Sequence, residues 1–158
     1  MRVLGIFGHV GIQYLAEQMC KAVGYDLITK TYGALYSQFN DNIMCFANLG
    51  DLNKNDVQIF EKFKTLFNID FAQYDRILVD LEGWNLKAMT LSGKPVVFYP
   101  CISHHYTEAH LRAWRQQGIH NHPLIRTVAS NDLHSHWFRQ HYPELKHFTI
   151  NHGINPYQ

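Results

Sequence analysis

The sequence predicts an α/β protein: a Rossmann-like, three-layer α/β/α domain built on a mainly parallel sheet. Three observations carry this. Short apolar runs too hydrophobic to be half exposed, such as RILVDL at 76–81 and VVFYP at 96–100, recur along the chain. Segments with apolar residues at helical spacing separate them, and no internal repeat or linker divides the 158 residues. The first run leads into glycines at Gly5, Gly8 and Gly11, the strand, loop and helix order that opens a wound parallel sheet.

Residues 2–7 form the first expected strand. Ile12, Leu15, Ala16, Met19, Cys20 and Val23 then mark a helix, which Gly24 ends. Strands follow at 25–31 and 42–47, with the polar and aromatic segment between them read as a loop. Caps are available at 51–56 ahead of a helix bearing Val57, Ile59, Phe60, Phe63 and Phe67. After the strand at 76–81, a short helix is expected over 84–91, closed by Ser92-Gly93-Lys94-Pro95, and then the strand at 96–100. The C-terminal part reads as a strand at 126–129, a helix over about 131–141 capped by Ser130 or Asn131 and stopped near Pro143, and a strand at 146–150.

The chain is long enough to bury a core without covalent staples. A formal charge of +1, with 17% charged and 46% hydrophobic residues, gives no electrostatic footprint for nucleic acid or an anionic membrane. Cys20, Cys45 and Cys101 form no CxxC pair and read as reduced, buried small hydrophobes. No apolar run approaches a membrane span, and the opening glycine-rich stretch does not read as a signal peptide, so a soluble cytoplasmic protein without a cofactor is expected.

In a parallel sheet, ligands gather at the carboxyl ends of the strands. The loop at Gly8, His9 and Gly11 is one such end, and the helix start after it offers unpaired amides to a phosphate or sugar oxygen. The same glycines also serve simply to turn the strand tightly into the helix. The spacing is not GxGxxG, which argues against a dinucleotide. At the fourth strand's end, Glu82 can accept from sugar hydroxyls and Trp84 can pack on a sugar ring; alternatively Glu82 caps the next helix and Trp84 is core. His104 and His105 follow the most apolar strand, and Ser130 stands where the strand at 126–129 meets its helix. Ten of the eleven histidines follow Pro100, yet none sits in an HExxH or related pattern, so no metal site is expected. No GxSxG elbow, P-loop or paired-carboxylate motif occurs.

The series VASNDLHSHWFRQHYPELKHFTINHGIN resembles the end of the N-terminal domain of GT-B fold glycosyltransferases, above all the retaining nucleotide-sugar-dependent family 4 type. In that family a strand leads to a serine at a helix start, and a further strand ends in an Asn-Gly-Val/Ile-Asp turn. The corresponding positions are Val128, Ala129 and Ser130, and then Asn151, Gly153, Ile154 and Asn155, with His152 added and asparagine in place of aspartate. GIQYLAEQM is similar to the family's glycine-led first helix.

The resemblance implies an acceptor-side domain over residues 1–150, with 151–158 beginning an interdomain hinge. A nucleotide-sugar-binding C-terminal domain, in the same or another chain, would be the partner, and a sugar acceptor the ligand. The implied activity is hexosyl transfer, absent without the second domain. On this reading His9 and His105 are catalytic, and Gly8, Gly11, Glu82, Trp84, His104 and Ser130 bind substrate. The alternative is a non-catalytic Rossmann-like binding or assembly module.

Overall fold

The structure is a computed structural model, and it describes residues 1–7, 22, 24–30, 43–46, 55–79, 83–99, 112, 114–129 and 131–150. Seven strands form one sheet: β1 (Val3–Phe7), β2 (Asp26–Lys30), β3 (Ile43–Phe46), β4 (Arg76–Val79), β5 (Val96–Phe98), β6 (Ile125–Ala129) and β7 (Lys146–Thr149). Every pairing is parallel, in the order β3-β2-β1-β4-β5-β6-β7. The chain therefore steps outward from β1 to β3, returns to lay β4 on the other side of β1, and steps outward again. The order reverses between β1 and β4, and in open parallel sheets ligands gather at the carboxyl ends beside such a reversal. The fold is the Rossmann-like α/β fold that the sequence predicts.

Parallel neighbours in register point their side chains to the same face. Leu4, Ile6, Ile77, Val79, Val96, Phe98, Ile125 and Ala129 accordingly lie on one face, and all are buried. Against them pack Ile59, Phe60 and Phe63 of α1 (Asp56–Phe67), Leu86 and Met89 of α2 (Gly83–Thr90), Phe138 of α3 (Asp132–His141), and Trp114. Each large apolar side chain removed from water there contributes about 1.5–3 kcal/mol. The helical layer expected on the opposite face, including the helix through Ile12 and Met19, falls outside the described residues.

Local chemistry sets the helix ends. Asn55 accepts from the Gln58 amide at 3.0 Å while the Gln58 side chain accepts from the Asn55 amide at 3.1 Å, a reciprocal capping box. Asn68 ends α1 in the left-handed region with φ 48°, which asparagine tolerates better than most residues. Replacing Asn55 with alanine removes a partner from two amides at once. The expected cost is about 1 to 2 kcal/mol in chemical denaturation with an unchanged slope. A midpoint equal to that of the parent protein would show that water substitutes for the cap.

At the amino edge of the sheet, Arg2 donates to Asp26 at 2.9 Å and to Gln73 at 2.9 Å, and the Tyr74 hydroxyl donates to Asp26 at 2.5 Å. Burial, and then the bond to Asp26, push the Tyr74 hydroxyl up to about 12, so it stays protonated and donates throughout the neutral range. This cluster ties β1, β2 and the turn before β4 together. It sits at the opposite end of the strands from their carboxyl ends.

Candidate functional site

The candidate site is the carboxyl edge of the sheet, where β1 ends at Phe7, β4 at Val79, β5 at Phe98 and β6 at Ala129. Each sequence-predicted site residue follows one of these ends in the chain. Gly8, His9 and Gly11 come after β1, Glu82 and Trp84 after β4, His104 and His105 after β5, and Ser130 after β6. Gly8, His9, Gly11, Glu82, His104, His105 and Ser130 lie outside the described residues. Trp84 falls in the first turn of α2, but its side chain is outside them too. The strand order brings the ends of β1, β4 and β5 side by side, which is the arrangement that a site made of these residues requires.

The described part of this edge is the junction of β6, α3 and β7. Asn131, rather than Ser130, caps α3: its side-chain oxygen accepts from the His134 amide at 2.9 Å. The Ile150 amide donates to the Ala129 carbonyl at 2.9 Å, which carries the β6–β7 pairing to the strand ends. Beneath the junction, the buried sheet face changes from apolar to polar. Thr127 on β6, Ser135 on α3, and His147 and Thr149 on β7 form one hydrogen-bonded run. The His147 ring has Thr127 Oγ1 at 2.8 Å from Nδ1 and Ser135 Oγ at 2.8 Å from Nε2. Thr149 Oγ1 donates to Ser135 Oγ at 2.7 Å, and the Phe138 ring lies 5.2 Å from the imidazole.

Sequence reasoning did not find this run. The one available signal was alternation: Thr127 and Ala129 share a parity with His147 and Thr149, so in parallel register both pairs face α3.

Burial lowers the pKa of His134, and burial followed by the positive charge of Arg139 lowers that of His147. His122, near α2, is lowered by burial and then by Lys87. All three are therefore neutral near pH 7, and a neutral imidazole offers one donor and one acceptor. Among the described residues, no group of three histidine, cysteine or acidic side chains is placed to hold a metal ion. No described helix is long and apolar enough to cross a membrane.

The lowered values have a consequence for stability. Unfolded histidines take up protons near their ordinary value of about 6.5, whereas the folded chain resists until lower pH. The unfolded state then binds more protons, and stability falls as pH drops through that window. The melting temperature should hold steady from pH 8 to 7 and decline from about pH 6.5 to 5, less steeply in His147→Gln. A flat profile over that interval would show that the three rings are not held neutral by the fold.

No protein-family model and no curated protein sequence matches the chain. Among solved structures, the chain is similar to that of HepE from Anabaena, crystallised in complex with UDP and glucose. The TM-score is 0.67 at 15% identity, over 98% of this chain and 45% of HepE. A glycerate dehydrogenase related protein from Thermoplasma acidophilum matches with a TM-score of 0.44 at 12% identity, over 98% of this chain and 50% of that one. The chain thus spans about half the length of the structures that it resembles. The likeness to HepE is one of fold.

Proposed function

We propose that the chain is the acceptor-side domain of a two-domain, GT-B type glycosyltransferase that moves a hexose from a nucleotide-sugar donor to an acceptor. The observation that carries the proposal is the fold likeness to HepE, which spans nearly all of this chain and a little under half of a protein crystallised with UDP and glucose. UDP and glucose are the two halves of a nucleotide sugar. The strand order adds support, because it reverses between β1 and β4, the kind of position where ligands gather in open parallel sheets.

On this reading residues 1–150 form the acceptor-side domain, and 151–158 lead toward a second domain that holds the nucleotide. His9 and His105 meet the reacting sugar. Gly8 and Gly11 allow close backbone approach, and Glu82, Trp84, His104 and Ser130 contact the sugars. The chain's part in catalysis is to orient the acceptor against the donor and to stabilise developing charge. The family 4 relationship suggested by the C-terminal series belongs to the same proposal.

The test uses the protein from its complete reading frame with UDP-glucose carrying radiolabelled glucose as the probe. Release of UDP, together with label moved to an acceptor or to water, supports the proposal. If that protein neither binds nor turns over UDP-glucose or other common nucleotide hexoses, the proposal falls.

A second reading, a binding or assembly module, is favoured by the large apolar side chains exposed near β7. Leu133, Phe148 and Ile150 are 75%, 56% and 53% exposed. A stable complex with a second protein in which these three residues are covered, and no nucleotide-sugar binding, would establish that reading instead.

A further inference from the structure

Four polar side chains stand at β6, α3 and β7 where the rest of the same sheet face is filled by Leu, Ile, Val, Phe and Ala. Thr127 and Ser135 are each only 1% exposed, so an unmade hydrogen bond there would leave a buried polar group unpaired, at a cost to folding. One consistent set of donors and acceptors satisfies them, with the His147 tautomer assigned from its neighbours. Thr149 gives its hydroxyl proton to Ser135, which leaves the Ser135 proton for Nε2 of His147. A neutral ring that accepts at Nε2 donates at Nδ1, here to Thr127. Donation thus passes from Thr149 through Ser135 and His147 to Thr127, linking two strands and a helix.

Protonating the ring breaks that direction. Nε2 becomes a donor, so Ser135 would receive two protons and its own must turn away. The acceptor available to a helical serine is the carbonyl four residues back. Here that is the carbonyl of Asn131, which already accepts the Ser135 amide at 3.0 Å. Asn131 is the cap of α3, and Ser130 precedes it at the carboxyl edge.

We propose that His147 is a positioning residue for the β6–α3 junction: while neutral it holds the junction through Ser135, and on protonation it passes the change to the Asn131 cap beside Ser130. The charge acting on the ring is Arg139 of α3, which opposes protonation. Arg126 and Lys146 alternate to the other face of β6 and β7. Asp132, His136 and His141 belong to α3; the first two are exposed and the third lies at the far end of the helix. His134, one residue from Ser135, is the other titrating ring close to the cap. Thr127, Ser135, Thr149 and Phe138 supply no ionisable group. The bearing of this device on ligand binding rests on the proposed role of the carboxyl edge; the device itself does not.

The test is a ligand-free titration of the isotope-labelled 158-residue chain from pH 8 to 5, following backbone amides and imidazole resonances together. The amides of Asn131 and Asp132 should shift with the midpoint of the His147 ring, which lies below the ordinary histidine value. In His147→Gln, which keeps His134, that shift should disappear while the spectrum stays dispersed. In Ser135→Ala the His147 ring should still titrate, but the amides at the cap should no longer follow it.

Cap amides that follow the His134 midpoint, that stay still in the parent chain, or that keep their shift in Ser135→Ala would each overturn the proposal. Because no nucleotide sugar is present, its failure would leave the glycosyltransferase reading untouched. Equally, failure to bind UDP-glucose would not touch this coupling.

Discussion

Phe98→Ala is expected to lower the stability of the domain by about 3–5 kcal/mol, the range for deleting a buried aromatic ring. Phe98 is 2% exposed at the end of β5, between β4 and β6. Its ring meets Trp114 edge-on with centroids 5.6 Å apart, and Phe138 likewise at 6.3 Å. The cavity would open between the sheet and α3 together with the helical segment carrying Trp114, and neither can close it without leaving its other contacts. Against a typical total of about 5–15 kcal/mol, this is a large fraction, and the melting temperature should fall by about 10 °C or more. Val97→Ala, on the half-buried opposite face, is the comparison and should cost much less. Equal losses from the two would mean that the described core does not hold the sheet.

If the chain is the acceptor-side domain proposed above, replacing His9, Glu82 and His105 together, by Ala, Gln and Ala, is expected to reduce kcat/KM for nucleotide-sugar turnover by about 100-fold or more. Positioned acid–base groups typically contribute that much or more to rate. The three follow β1, β4 and β5 in the chain, and those strands are consecutive in the sheet. The melting temperature is measured alongside, so that a loss of activity can be separated from a loss of fold. Activity within a factor of two of the parent enzyme would remove these residues from the site. A loss accompanied by unfolding would be recognised by its melting temperature, and the three single replacements would then give the answer.

Much of the fold was legible because its signals are local. The apolar runs at β1, β4 and β5 were strands for the reason that sequence suggests, and the described strands differ from expectation by one or two residues at their ends. The helix carrying Phe60 and Phe63 begins at one of its expected caps, Asn55, and the C-terminal helix at Asn131. A short side chain that satisfies nearby amides leaves its mark within four residues. The strand ends that the candidate residues follow were legible in the same way.

The sequence by itself determined the element types, their parallel class and the residues at the carboxyl ends, since each depends on spacing along a few neighbouring positions. Tertiary structure alone decided which strands are neighbours, where their order reverses, and which of the many C-terminal histidines joins the hydrogen-bonded run of Thr127, Ser135 and Thr149. His147 differs from exposed His136 not in its neighbours along the chain but in the register that sets it beside Thr127 and under Ser135. Those partners lie 20 and 12 residues away. Contacts of that separation form only once strand pairing and helix docking have already brought the chain together, so no local pattern announces them.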